Sequence, residues 1–164
     1  MKLRLSHKNA KTIKRNKMTK NNQIIFIKGK REGLKTLFNS SNFGYLAVGY
    51  ADDANNGFKN PTSEETQDAG GFKEISKNEH ETYERIPLEF VTDFIDYNQG
   101  RVTCRFTATL KTTNIIDNTE INQFAICDNI DPYDGDTTFY CASTFPSFTK
   151  NDNLEISFTI DLGL

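Results

Sequence analysis

The sequence predicts an all-β protein: an antiparallel β-sandwich with a long loop and an extended basic N-terminal arm. Three observations carry that reading. Two segments, 101–110 and 154–162, alternate apolar and polar residues with period two, the signature of strands with one buried and one wet face. Several further aromatic or β-branched runs are spaced by polar turns, as in a sandwich. The first twenty residues hold eight cations and no acid, in a chain that has 20 Lys or Arg against 22 Asp or Glu.

Residues 1–22 form the expected arm. Leu3, Leu5, Ile13 and Met18 are scattered among its cations with no sustained face at helical or strand period, so the segment has no means of folding alone. The body is expected over 23–164. Ile24-Ile25-Phe26-Ile27 reads as a short strand. In "REGLKTLFNSS", Leu34, Leu37 and Phe38 recur at i, i+3, i+4, which predicts one or two helical turns. "FGYLAVGY" (43–50) reads as a buried strand.

Residues 51–84 are rich in turn formers and acids, with Phe58, Phe72, Ile75 and Tyr83 as the bulky anchors. So long a connection in a compact domain points to a functional loop or one ordered by neighbours. Then follow "IPLEFV" (86–91), "RVTCRFTATL" (101–110), "EINQFAIC" (120–127), "TTFYCAST" (137–144) and "LEISFTIDL" (154–162). Val102, Cys104, Phe106, Ala108 and Leu110 should face inward, as should Leu154, Ile156, Phe158, Ile160 and Leu162. With the two runs before the loop, that makes seven strand candidates.

A chain of 164 residues with thirteen Phe and six Tyr has the length and the aromatic content for one real core. Its mean hydropathy of -0.61 assigns much of it to polar connections. Residues 1–36 hold twelve cations and one acid, Glu32, which leaves 8 cations and 21 acids for the rest. A split of this size implies that the arm engages something anionic, either nucleic acid or the acidic body of another copy. The only apolar run near the basic start is four residues long, so neither a secretory leader nor a membrane span is expected.

Candidates for chemistry are few. Cys104, Cys127 and Cys141 form no C-x-x-C and have only His7 and His80 to join them, so packed thiols in a reducing compartment are expected, with no disulfide framework and no zinc site. His80, in "NEHE", is expected to be an exposed, solvated imidazole. Two acidic turns, 52–57 and 128–136, fail as calcium loops. Aligned on Gly57 the first has Ala54 at position 3 and Ser63 at position 12; aligned on Gly135 the second has Pro132 and Cys141 there, where the EF-hand loop needs oxygen ligands. Their Asp and Asn are expected to act as turn formers. No cofactor, metal or catalytic residue is expected.

The arm is then the candidate binding element: Leu3, Leu5, Lys8, Lys11, Ile13, Lys14, Arg15, Lys17, Met18 and Lys20. It has the charge for nucleic acid but no aromatic to stack on bases. Its four apolar residues suit docking into grooves of a protein partner.

The order of the strands resembles a β-rich module of structural proteins in tailed bacteriophages. The resemblance covers 43–162, and the arm lies outside it. In that module a Y-x-x-x-G strand is followed by an R-x-P strand, a T-x-E-I hairpin and an A-x-x-T-F-P turn into a last alternating strand. Here the matching positions are Tyr45 and Gly49, Arg85 and Pro87, Glu120, Ile121, Ile126 and Asp128, then Ala142, Thr144, Phe145, Pro146 and Lys150. Gln123 and Cys127 depart from the commonest residues, Glu and Phe.

The resemblance implies a non-enzymatic virion component made in the host cytoplasm. Its partners would be capsid, fibre or tail subunits in a homo-oligomeric or many-copy assembly. The leading expectation is an auxiliary capsid or head-fibre-anchoring protein. The alternatives are a neck or tail protein, a nucleic-acid-binding protein using the arm, and a carbohydrate-binding sandwich, the last disfavoured by the absence of Trp.

Overall fold

A computed structural model of the chain describes residues 25–52, 71–75, 79–115, 117–133 and 135–164. These residues form one helix and seven strands: α1 (Ile27–Leu37), β1 (Tyr45–Gly49), β2 (Ile86–Pro87), β3 (Glu89–Asp96), β4 (Arg101–Leu110), β5 (Thr119–Cys127), β6 (Phe139–Lys150) and β7 (Ile156–Gly163). Two antiparallel sheets result, one ordered β2-β1-β5-β6 and the other β3-β4-β7. The predicted all-β sandwich is what the body adopts.

Alternation sets the sheet faces. Along β4 the five expected residues are buried, at 0–2% exposure, while their neighbours face out. On β7 the inward set is half-buried, with Ile160 the deepest, because among the described residues β7 is an edge strand paired with β4 alone. Leu154 lies before the strand and is exposed. Opposite them, Leu46, Val48, Ile121 and Ile126 line the inner face of the larger sheet and complete one continuous core. Gly49 is needed where the chain returns from the loop, since a Cβ there would collide with the Lys73 carbonyl.

Three expectations about chain segments are corrected. The stretch from Ala142 to Lys150, expected to turn into the last strand, instead continues β6 from Phe139 to Lys150. The run expected as a strand over 24–27 is not one where it is described: Ile27 opens α1, and Ile25 and Phe26 precede it exposed. Ile27, Leu34, Leu37 and Phe38 form one stripe, and Leu34 and Phe38 are 2% exposed. Gly29 and Gly33 each weaken a helix by about 1 kcal/mol relative to Ala, and Phe26 at the N-cap provides no side-chain cap. Tertiary packing of that stripe, including Phe38 edge-on to Phe106 at 5.6 Å, therefore holds the helix.

The run 86–91 is not one strand either. Ile86 and Pro87 pair with β1, whereas Glu89 onward pairs with β4. The chain changes sheets at Leu88, whose N–H donates to the Gly44 carbonyl.

Candidate functional site

The ten arm residues named as candidates, from Leu3 to Lys20, lie outside the described residues, as does Phe58. What the fold assembles instead is a buried polar clasp and, at the edge of the smaller sheet, an exposed apolar strip.

The clasp centres on Arg85, which is 3% exposed. Its Nε and Nη2 donate to the two carboxylate oxygens of Glu74, each at 2.8 Å. Its Nη1 donates to the carbonyls of Asn129 and Asp131 and to Thr137 Oγ1. Tyr83 Oη donates to Glu74 Oε1 at 2.8 Å and accepts from the Val48 N–H at 3.1 Å. Such a bidentate pair with further acceptors satisfies the guanidinium fork. Burial and the Glu74 charge hold the Tyr83 hydroxyl well above its ordinary range. Burial opposes the Arg85 charge, but the Glu74 hydrogen bonds and charge outweigh it and raise Arg85 further.

Three chain segments meet there: the end of the long loop, the approach to β2, and the β5–β6 connection. Gln123 adds a second tie, accepting from the Lys73 N–H and donating to the Gly71 carbonyl. Phe72 thereby covers Ala47, Ala125 and Cys127 on the outer face of the larger sheet. Lys150, fully buried, makes a third, donating to the Ile115 and Asn151 carbonyls.

Phe72, Ile75 and Tyr83 anchor the loop as expected. Asp128, Asn129 and Asp131 accept backbone N–H groups, as turn formers do. All three thiols are free, with Cys104 and Cys127 buried. His80 differs from expectation: it is half-buried, with Nδ1 3.3 Å from Thr119 Oγ1 and 3.7 Å from Asp117.

Beside the clasp lies an open pocket of about 260 Å³, lined by Glu84, Pro87, Glu89, Thr107, Thr109 and Lys111 among others. Glu89 is also the first residue of β3, the edge strand. Along β3 and the turn after it, Phe90, Val91, Phe94 and Tyr97 stay exposed, from 42% at Phe90 to 76% at Tyr97. Neighbours cover this strip in part, with Lys35 over the Phe90 ring at 4.2 Å, Phe106 edge-on to the same ring at 5.9 Å and Arg105 over Phe94 at 4.9 Å.

The strip escaped the sequence reading because β3 has a register shift between Phe90 and Thr92, which breaks period two. Arg85 was legible as a motif position, but its partners are 11 to 52 residues away along the chain. In comparisons with protein-family models, characterised proteins and solved structures, none matches this chain.

Proposed function

We propose that this chain is a non-enzymatic structural subunit of a tailed-phage virion, an auxiliary capsid or head-fibre-anchoring protein that docks on neighbours through its N-terminal arm. The observation that carries the docking part is the exposed strip of Phe90, Val91, Phe94 and Tyr97 on an edge strand. Exposed apolar side chains along a strand that lies at the sheet edge among the described residues favour contact with another chain. The strand-by-strand resemblance over 43–162 supports the virion part of the reading. The same module in a neck or tail position is the alternative within that class.

The clasp ties the loop end and the β5–β6 connection to the larger sheet, which suits a rigid subunit. The test is quantitative mass spectrometry of density-purified particles from cells producing this chain. A fixed copy number per particle is expected. A chain confined to the particle-free fraction, or recovered only on nucleic acid, overturns the reading.

A further inference from the structure

Independently of the virion reading, we infer that the free edge of β7 is a self-pairing surface, where two copies of this chain join antiparallel about a two-fold axis through Thr159. Among the described residues four strands end a sheet: β2 and β6 in the larger, β3 and β7 in the smaller. Native folds blunt such edges with short strands, proline, bulges or inward charges. Three of the four are blunted in this way. β2 is two residues long, and one of them is Pro87. β6 contains Pro146, and its pairing with β5 shifts register twice. β3 shifts register between Phe90 and Thr92 and sets the charge of Asp93 opposite the inward Cys104. β7 has none of these devices. It pairs with β4 over eight consecutive residues without a shift, contains no proline, and has one charge, Asp161, already held by Arg105 at 2.7 and 2.8 Å.

Val102 and Leu164 exchange both of their N–H···O bonds, and in an antiparallel ladder such pairs recur at every second residue. Ile156, Phe158, Ile160 and Leu162 therefore direct their backbone groups at β4. Ser157, Thr159, Asp161 and Gly163 turn theirs to the open edge, where a further strand can bond to them.

The strand that fits there is β7 of a second copy, because this sequence complements itself. With Thr159 opposite its own counterpart, Ser157 falls opposite Asp161, a hydroxyl facing a carboxylate, so no like charges meet directly. On the core side Phe158 falls opposite Ile160, and Ile156 opposite Leu162. The same register, continued past the strand ends, sets Leu154 opposite Leu164, the two leucines that flank β7 at 38% and 54% exposure. These apolar pairs occupy the non-hydrogen-bonded positions, where facing side chains come closest. An axis through Phe158 would set Leu164 opposite Asp152 instead, and one through Ile160 would carry Leu154 past Leu164. Only the axis through Thr159 gives both exposed leucines an apolar partner.

The experiment follows the full chain by sedimentation velocity over a concentration series, and the wild type is expected to form a concentration-dependent dimer. Thr159→Lys and Thr159→Glu should each weaken that dimer at least about tenfold, by setting like charges across the axis. An equimolar mixture of the two variants should recover the dimer that neither forms alone, a rescue that misfolding cannot produce. Thr159 is exposed and directs its backbone away from β4, so both variants should keep their near-ultraviolet circular dichroism. A chain that stays monomeric at every concentration, a dimer unchanged in both variants, or a mixture that stays monomeric overturns the inference. Absence of the chain from purified particles overturns the virion reading and leaves this one standing.

Discussion

Two arginine–carboxylate pairs of similar geometry sit in opposite environments. Arg85–Glu74 has side-chain exposures of 2% and 8%, and Arg105–Asp161 of 38% and 44%. Removing one partner of a buried pair strands the other charge, at about 3–5 kcal/mol, whereas an exposed pair is screened by solvent and contributes little. Arg85→Ala should therefore lower the urea midpoint severely and Arg105→Ala barely, at unchanged slope of the transition. A second residue-scale prediction concerns Cys127, whose thiol burial pushes up to about 12 from an ordinary 9.0. The folded state keeps this proton after the unfolded chain has released it. That contribution to stability is thus complete below about pH 9 and is lost as pH rises toward 12. The stability difference between the wild type and Cys127→Ala should shrink over that window, and a pH-independent difference would refute the assignment. At pH 8 in the native state, a thiol reagent should label the half-buried Cys141 ahead of Cys104 and Cys127.

At the scale of elements, β4 is the strand on which the inside and outside of the smaller sheet depend. Phe106 is 1% exposed and touches the Phe38 and Phe90 rings at 5.6 and 5.9 Å. Thr107 is on the opposite face, bordering the open pocket. Phe106→Ala should cost about 3–5 kcal/mol through the cavity it leaves, and Thr107→Ala far less. The reverse order would mean a one-residue slip of the strand, which would exchange its two faces. The β3 edge differs in kind: its exposed Phe94 contributes little to the monomer's core, so substitutions there should be read out in association rather than in stability.

For the whole molecule, the prediction is that deleting residues 1–20 moves the melting temperature of the isolated protein by under about 2 °C, because a segment whose sequence has no sustained apolar face buries little. A large loss would place the arm on its own body. The same deletion takes the net charge from -2 to -10. Salt separates the two kinds of partner. Phosphate binding through six to ten contacts falls by about three to five powers of ten between 50 and 200 mM salt. Docking anchored partly by Leu3 and Leu5 should fall much less, since apolar burial is not screened.

The strand faces on β4, the buried run at β1 and the loop anchors Phe72, Ile75 and Tyr83 were determined by the sequence itself. The reason is local: side chains alternate every residue in a strand, so composition over five to ten positions reports which face is wet. The charge asymmetry was equally legible, being a sum over residues. Tertiary structure alone decided the rest. Ile27 became helical because Leu34 and Phe38 found Phe106 across the core, overriding a β-branched run. The segment 86–91 split between two sheets because Leu88 met the Gly44 carbonyl and Glu89 met Thr107. Arg85 became a clasp because Glu74, Asn129, Asp131 and Thr137 converge on it from two other segments. Each of these outcomes depends on a contact between residues distant in sequence, whose free energy outweighs local preference and leaves no periodic trace along the chain.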